Sequence, residues 1–558
     1  MHISNKLFVS ILAGVPLFAG PVSNDLKNLP STATTDVLVQ FAKSPTTTMI
    51  DKIKANGGAV KRKSVKFPTV LYSLSTASIN ALTANGDVKF ASKNRKLKGT
   101  LDYANPAVNA PAAFDAGFTG SGIGIAVIDS GVKADHPDLL GRVVYSQNFV
   151  PNETTTSDLL GHGTHVSVIA AGNAAASTGV KITETFRGIA PGAKIVNLRV
   201  LDSTGAGSDA EVIAAIDRAI ELKSTYNIRV INLSLGRPVY ESFTLDPLCQ
   251  AVESAWKSGI VVVVAAGNGG RNLSMGTNGY STISSPGNDP WVITVGATKD
   301  VKTETRADDV VTTYSSKGPT LVDHIAKPDL VAPGNLIVAA KVAGATTIAS
   351  YPENEVPLAY YTTTGSGKIS SDYFTLSGTS MATPMVSGAA ALMLQKTPTL
   401  TPDLVKARMM RTASKSFPAS YTYTDPATGV SYTVQHDLFT IGAGYLDANA
   451  ALNDTSTGAG SALSPRAAYD AATGSVSLVY NYLSGTNIIW GTNIVWGTNI
   501  IWGTNIVWGT NTVVEGTNIV WGDSATSGFN IVWGDNIVWC DSSAPTLFDL
   551  ALSARGDK

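Results

Sequence analysis

The chain is poor in the residues that define several classes of protein. It has only two cysteines in 558 residues, Cys249 and Cys540, which excludes a disulfide scaffold. Charged residues make up 15% of the sequence, too few for a charge-rich disordered chain. The net charge of -1 gives no overall attraction to nucleic acid, so no such partner is expected. Because Cys249 falls in an apolar helical stretch, we predict a buried free thiol there.

Long hydrophobic runs are also missing. Beyond the N-terminal region no apolar run reaches about eighteen residues, so we expect a soluble mature protein. Residues 1–20 have a short basic lead followed by an apolar run, which is typical of a secretory signal peptide. A buried N-terminal helix is the alternative. The pattern favours a secreted, extracellular protein in which residues 21–35 form a polar linker.

Charge divides the rest of the chain into three segments. Residues 36–98 carry twelve Lys and Arg against three Asp and Glu, whereas residues 99–452 carry 24 against 30. Residues 453–558 carry three against eight. The first segment has the pattern of a small α+β module, with two strands and two short helices. Its positive charge predicts attraction to the acidic second segment, although a basic solvated surface is the plainer interpretation.

Residues 99–452 alternate strands and helices. Five nearly continuous apolar runs predict strands buried on both faces, at residues 123–128, 194–200, 230–235, 260–266 and 292–295. The clearest amphipathic helix covers residues 209–222 and begins with a capping box of Ser208 and Glu211. These features predict an α/β fold with a doubly wound parallel sheet and helices on both faces. Active sites of such sheets lie at the carboxyl ends of the strands.

Three stretches rich in glycine each carry one chemically distinctive side chain. Asp129 ends a predicted strand in Val-Ile-Asp-Ser-Gly, His162 begins a helix in Gly-His-Gly-Thr-His, and Ser380 begins another in Gly-Thr-Ser-Met-Ala. Taken singly, each could be a cap or turn residue. Together they supply a weak nucleophile, a base that works near pH 7 and a carboxylate that orients the base. The set indicates nucleophilic catalysis by serine.

These stretches, in the order Asp, His, Ser, resemble the signatures of the subtilisin-like serine peptidases over about residues 120–450. The resemblance implies a serine endopeptidase that cleaves polypeptides through an acyl-enzyme, with Asp129, His162 and Ser380 as its triad. In that family an Asn after Ala-Ala-Gly donates to the oxyanion, which gives Asn268 this role. The family also implies that two flanking stretches bind substrate, namely Ser234, Leu235, Gly236, Ala265, Ala266 and Gly267. Arg237 stands where the family has a second glycine.

Other chemistries do not match the spacing. The Gly-x-Ser-x-Gly motif of α/β-hydrolases and the His-Glu-x-x-His motif of zinc peptidases are absent. His165 is therefore interpreted as a buried helix residue, and no metal ligand or cofactor is predicted for the chemistry. Asp138 matches a calcium ligand of the family. Because residues 173–180 offer few oxygen ligands, a structural calcium ion stays an open alternative and no calcium site is assigned.

The resemblance also implies a zymogen. Residues 36–98 take the place of the inhibitory propeptide of this family, which binds its own enzyme. This assignment agrees with the opposite charges of the first two segments.

The last segment, residues 453–558, contains a hexapeptide repeat, Gly-Thr-Asn-Ile-Val-Trp at 491–496, and seven of the nine tryptophans. Since six is even, equivalent side chains share one face of an extended chain. A stacked, β-rich tail and an irregular low-complexity spacer both remain open. The aromatics favour binding to a cell surface or insoluble material. A second hypothesis follows, in which the chain is a non-catalytic surface or adhesion protein with the peptidase fold as scaffold.

Overall fold

The structure, a computed structural model, divides into two units, Met1–Lys98 and Gly99–Lys558. It describes residues 22, 26, 33–63, 68–82, 86–93, 103–274, 276–303, 305–426, 428–470, 475–479, 483–485, 488–489, 518–521, 530–533 and 556–557. The predicted signal peptide, the repeat at 491–496 and Cys540 lie outside these residues. Within them, no helix combines the length and apolarity needed to cross a membrane.

The first unit is a four-stranded antiparallel sheet with two helices, which confirms the α+β module. Its elements are β1 (Thr34–Phe41), α1 (Thr47–Ala55), β2 (Ala59–Lys63), β3 (Thr69–Ser75), α2 (Thr76–Leu82) and β4 (Val88–Lys93). The strand order is β2-β3-β1-β4. The sequence predicted only β1 and β3 and missed both edge strands, β2 and β4. The three basic residues of β2, Ala-Val-Lys-Arg-Lys, leave it without an apolar pattern. The unit has its own core, to which β1 contributes Val37, Val39 and Phe41.

The second unit is built on an eight-stranded sheet. Its strands are β5 (Gly124–Asp129), β6 (Val143–Asn148), β7 (Lys194–Arg199), β8 (Ile228–Leu233), β9 (Val261–Ala265), β10 (Ile293–Lys299), β11 (Val310–Val311) and β12 (Leu330–Pro333). The order is β11-β10-β9-β8-β5-β7-β6, with β12 also beside β10. Every pairing is parallel except that of β10 with β11. The carboxyl ends of β5, β8 and β9 therefore meet at one edge.

Helices lie between the strands, so the predicted α/β architecture is confirmed. They are α3 (Ala104–Ala107), α4 (Ala110–Asp115), α5 (His162–Ala171), α6 (Asp209–Glu221), α7 (Lys223–Tyr226), α8 (Pro247–Lys257), α9 (Thr346–Ser350), α10 (Thr379–Lys396), α11 (Pro402–Thr412), α12 (Leu438–Ile441) and α13 (Ala448–Asn453). The predicted capping box starts α6, where the Glu211 carboxylate accepts from the Ser208 N–H at 2.9 Å. In α8, Cys249 is a buried free thiol, as predicted.

Two helices are buried on every side. All ten residues of α5 are buried, and α10 is buried from Thr379 to Leu394. Such helices show no amphipathic pattern, since they have no solvent face. The two pack against each other, and α10 also contacts β8, β9, β10 and β12. The first turn of each carries a residue that the sequence singled out, His162 in α5 and Ser380 in α10.

Smaller sheets complete the second unit. Their strands are β13 (Ile337–Ala340), β14 (Glu355–Pro357), β15 (Ile369–Leu376), β16 (Ser420–Thr424), β17 (Ser431–Gln435), β18 (Ala459–Gly460), β19 (Arg466–Asp470), β20 (Ser475–Val479), β21 (Leu483–Gly485), β22 (Ile488–Ile489), β23 (Asn518–Trp521) and β24 (Asn530–Trp533). In β23 and β24, two copies of Asn-Ile-Val-Trp pair in parallel and in register. A stacked tail would have this geometry, and stacking of the whole repeat stays a prediction.

A buried charge cluster joins residues beyond 452 to the sheet. The Asp329 carboxylate lies 2.7 Å from Lys327 Nζ and 3.2 Å from Lys406 Nζ, and all three side chains are fully buried. Lys406 Nζ also donates to Ser464 Oγ at 2.9 Å. Burial alone would raise the pKa of Asp329, but the two ammonium groups outweigh it and hold that pKa below its usual value. The packing of the peptidase body therefore continues past the predicted boundary at 452.

Candidate active site

A buried hydrogen bond joins the predicted acid and base. Asp129 is the last residue of β5 and His162 the first of α5, and their side chains are 1% and 0% exposed. The His162 Nδ1–H donates to Asp129 Oδ1 at 2.7 Å. The Ser130 N–H donates to the same oxygen, also at 2.7 Å. Because a carboxylate can only accept, the proton of this bond lies on Nδ1, which leaves Nε2 as the ring nitrogen that can act as a base.

Glycine allows this close approach. A Cβ at Gly163 would overlap the carbonyl oxygen of Gly131 and would lie 3.1 Å from Asp129 Oδ1. Any larger residue at 163 would push α5 away from the end of β5. The glycine next to His162 therefore sets the separation between histidine and aspartate.

Asp158 supports the same helix end, although the sequence analysis missed it. Its carboxylate accepts from the Gly161 N–H at 2.7 Å, from the Thr164 N–H at 2.8 Å and from the Ser130 hydroxyl at 2.8 Å. The Ser130 Oγ in turn accepts from the Gly163 N–H at 2.9 Å. Burial raises the pKa of Asp158, against these hydrogen bonds, which lower it. An Asp four residues before a helical His is the signal that would have found this cap.

Ser380 lies in the first turn of α10 and is held by the end of β8. Its hydroxyl donates to the Ser234 carbonyl oxygen at 3.1 Å, and the Ser234 hydroxyl donates to the Ser380 carbonyl at 2.8 Å. The Asn232 side chain donates to Ser234 Oγ at 3.0 Å and accepts from Ser387 at 2.8 Å. This chain of bonds fixes the first turn of α10 against the sheet.

Asn268 is oriented by the residue before Ser380. Its Oδ1 accepts from the Thr379 N–H at 3.0 Å and from the Thr379 hydroxyl at 3.1 Å. With the oxygen occupied in this way, the amide nitrogen is turned toward the backbone at Gly378, where a Cβ would lie 3.3 Å from Nδ2. The side chain therefore presents a donor beside the nucleophile turn.

The two predicted substrate-binding stretches follow neighbouring strands. Ser234, Leu235 and Gly236 come after β8, and Ala265 ends β9 before Ala266 and Gly267. Gly267 has φ +102°, and its N–H donates to Thr379 Oγ1 at 3.2 Å. The structure thus brings both stretches, Asn268 and Ser380 to one edge of the sheet.

Comparison with known proteins agrees with this geometry. The model of the subtilase family matches residues 120–444. The chain belongs to the subtilase family.

Individual members give the same result. The chain is 38% identical over 346 residues to serine protease AprX of Bacillus subtilis, covering 61% of this chain and 71% of AprX. It is 32% identical over 428 residues to subtilisin E of the same organism, covering 74% of this chain and 94% of subtilisin E. Subtilisin DY of Bacillus licheniformis is 34% identical over 315 residues, which is 56% of this chain and 92% of that protein. This subtilase is a serine endopeptidase, so the hypothesis of a non-catalytic scaffold is set aside.

Arg237, the departure from the family pattern, is held by three acidic residues. Its guanidinium donates to Asp209 at 3.0 Å and to Asp246 at 2.9 Å, and it lies 3.6 Å from Glu241. The main chains of Arg237 and Ser285 form an antiparallel β-bridge, in which each N–H donates to the other residue's carbonyl oxygen. The arginine is therefore a fixed part of the region after β8.

Asp138, which matches a calcium ligand of the family, accepts hydrogen bonds from two groups of the protein in this subtilase. One carboxylate oxygen accepts from the Ala176 N–H at 2.8 Å and the other from the Tyr373 hydroxyl at 2.9 Å. Burial raises the pKa of this carboxyl group, against the two hydrogen bonds, which lower it. Among the described residues no three His, Cys, Asp or Glu side chains cluster as a metal site would. Both oxygens of the Asp138 carboxylate are therefore bound by donors of the protein.

His165 is a buried helix residue, as predicted. Its Nε2 lies 3.2 Å from both the Ile337 and Phe374 carbonyl oxygens, so Nε2 carries a hydrogen. Burial, with His162 nearby, lowers the pKa of His165 to about 3. The ring is therefore neutral at all pH values where the enzyme would be assayed.

We expect this histidine to make the peptidase unit sensitive to acid. The unfolded chain takes up a proton at His165 below pH 6.5, whereas the folded chain does so only near pH 3, so stability falls as pH falls between these values. The loss from pH 7 to pH 5 should be about 2 kcal/mol. Urea unfolding of the inactive Ser380→Ala protein, with and without His165→Gln, measures it. A pH dependence that is unchanged by His165→Gln would contradict the assignment.

Proposed function

We propose that this subtilase cleaves polypeptides with Asp129, His162 and Ser380 as its catalytic triad. The observation that carries the proposal is the buried 2.7 Å bond from His162 Nδ1 to Asp129. It fixes the tautomer in which Nε2 accepts a proton. Ser380 supplies the hydroxyl, at the start of a helix that packs against the helix of His162.

The first step is attack by Ser380 on the scissile carbonyl. His162 Nε2 takes the hydroxyl proton as the Ser380 Oγ–carbon bond forms, and Asp129 stabilises the resulting imidazolium. The carbonyl oxygen becomes an oxyanion. It accepts from the Asn268 amide and from the Ser380 N–H, which as a group at a helix N-terminus has no partner within the helix.

The second step releases the products. His162 returns its proton to the leaving amine as the carbon–nitrogen bond breaks, which leaves an acyl-enzyme on Ser380. Water then attacks the ester with His162 again as base. The Ser380 Oγ–carbon bond breaks, which releases the carboxylic acid product, and His162 returns the proton to Ser380 Oγ. No metal or cofactor takes part in this sequence.

Substrate binding and nucleophile release are linked at Ser234. In the free enzyme the Ser234 carbonyl accepts the Ser380 hydroxyl. A substrate main chain that pairs with residues 234–236 offers an N–H to the same carbonyl. This competition would release the Ser380 hydroxyl toward His162 when substrate is bound.

The segments on either side of the peptidase body have roles in secretion, inhibition and attachment. Residues 1–20 direct secretion, and residues 36–98, a folded unit with its own core, act as an inhibitory propeptide that keeps the enzyme a zymogen. Residues 453–558 bind a cell surface or insoluble material through repeated aromatic residues.

Replacement of Ser380 tests the triad directly. Ser380→Ala should lower kcat by about 10⁶, a figure that comes from triad removal in subtilisin. The fold should persist, because the substitution removes one hydroxyl. Ser254→Ala, an exposed serine of α8, is the control and should hydrolyse casein like the wild type. Hydrolysis by Ser380→Ala at a rate near that of the control would contradict the assignment.

Replacement of Asn268 tests the oxyanion contact. Asn268→Ala should lower kcat by about 10²–10³ with little change in KM, because the lost hydrogen bond forms only in the transition state. Steady-state kinetics on a short peptide measure both constants. A raised KM with unchanged kcat would show that Asn268 binds the ground state instead.

The isolated segment 36–98 should inhibit the mature enzyme, and several-fold more weakly in 1 M NaCl than in 0.05 M. The reason is that salt screens attraction between its basic residues and the acidic peptidase. A segment with Lys61, Arg62 and Lys63 changed to Gln should inhibit less and depend less on salt. Absence of inhibition at both salt concentrations would exclude a propeptide.

A further inference from the structure

Two residues of the tail, Gly556 and Asp557, lie in a polar cradle on the peptidase body. Asp557 is fully buried. Its carboxylate accepts from the Thr313 N–H at 2.8 Å, from the Thr313 hydroxyl at 2.9 Å and from the Arg271 guanidinium. Three donors on one buried carboxylate make a site built for a negative charge.

The main chain of this segment is bound as well. The Asn335 side chain accepts from the Asp557 N–H at 2.8 Å and donates to the Asp557 carbonyl at 3.0 Å. Gly556 has φ +56°, and a Cβ there would overlap Ser377 Oγ and lie 2.6 Å from Asn335 Oδ1. The cradle therefore suits the dipeptide Gly-Asp in both conformation and charge.

Further contacts of Arg271 orient its guanidinium toward Asp557. Its Nε donates to Thr313 Oγ1 at 2.8 Å. Its guanidinium lies 5.0 Å from the ring centre of Tyr423 and 5.2 Å from that of Tyr432. Asp425 is 3.8 Å away. A guanidinium fixed in this way loses little entropy when it binds a carboxylate.

The cradle joins the segments that carry Asn268 and Ser380. Arg271 lies three residues after Asn268 in the same loop. Next to Asn335, the Gly334 carbonyl accepts from the Gly378 N–H at 2.8 Å, two residues before Ser380. Ser377 Oγ accepts from the Leu336 N–H at 2.9 Å. Asp557 therefore connects two segments. One is the loop that carries Asn268, the proposed oxyanion donor, and the other is the segment that supports the turn before Ser380.

We propose that Gly556–Asp557 is an intramolecular ligand of the peptidase body, and that its docking in this cradle positions Asn268 and the Ser380 turn for catalysis. The proposal rests on the roles given above to Asn268 and Ser380. Asp557 acts as a positioning residue, since its contacts are with Arg271, Thr313 and Asn335 and not with the reacting groups. The tail would then contribute to catalytic activity through Asp557, in addition to the attachment proposed above.

The test uses the full chain with Asp557→Ala, and Asp217→Ala on the exposed face of α6 as control. We expect kcat on a short peptide to fall about tenfold with KM within about twofold. The rate of Ser380 labelling by a fluorophosphonate should fall by the same factor. Sodium formate, compared with sodium chloride at equal ionic strength, should restore at least half of kcat in Asp557→Ala and change nothing in Asp217→Ala.

Other outcomes would overturn the proposal. Higher activity in Asp557→Ala would make the segment an inhibitory occupant, and unchanged activity would mean that docking does not position the site. A loss without formate rescue would indicate only general destabilisation. Asn335→Ala, which removes the main-chain contacts, should reproduce the fall in kcat without formate rescue. Failure of the triad itself would appear in Ser380→Ala and not in these variants, so the two proposals are tested separately.

Discussion

The hydrogen bond between His162 and Asp129 is buried from water, and the surrounding structure makes this burial tolerable. A carboxylate removed from water loses several kcal/mol unless donors replace its hydration. Here the Ser130 N–H and the imidazole are those donors, and both bind Oδ1, whereas the buried Oδ2 has no hydrogen-bond partner among the described residues. The parallel sheet determines where this bond forms, because β5 ends with Asp129 at the same edge of the sheet at which α5 begins. Gly163 then allows the helix to approach closely enough for the bond to form.

Several buried polar groups around this bond are satisfied by other buried groups. Asp158 binds the N–H groups at the start of α5, and Asn232 with Ser234 fixes the first turn of α10. Such networks hold side chains in one arrangement, because a broken bond would leave a polar atom without water or partner. The site is therefore preorganised before substrate binds. That condition is the one that electrostatic catalysis requires.

Much of this could be predicted from the sequence. The five apolar runs gave the central strands, since strands buried on both faces are apolar throughout. The glycine-rich stretches predicted the aspartate, histidine and serine, since those residue types are needed for one reaction, whereas Asn268 was predicted only from the resemblance to the subtilisin-like family.

The rest depends on contacts between residues far apart in sequence. An aspartate before a helix start is the only local mark of Asp158, and its bond to Ser130 forms only in the folded chain. The Lys406 ammonium and Ser464 meet at Asp329 only in the folded chain. Asp557 lies more than two hundred residues beyond its partners Arg271, Thr313 and Asn335. No local pattern predicts a contact at such a separation.

The most direct test of the triad and oxyanion assignment is a crystal structure of the enzyme after reaction with a peptidyl fluorophosphonate. The account predicts phosphorus bonded to Ser380 Oγ, with a phosphoryl oxygen about 3 Å from both the Asn268 amide nitrogen and the Ser380 main-chain nitrogen. His162 should remain hydrogen-bonded to Asp129. An adduct on another residue, or a phosphoryl oxygen turned away from Asn268, would contradict it.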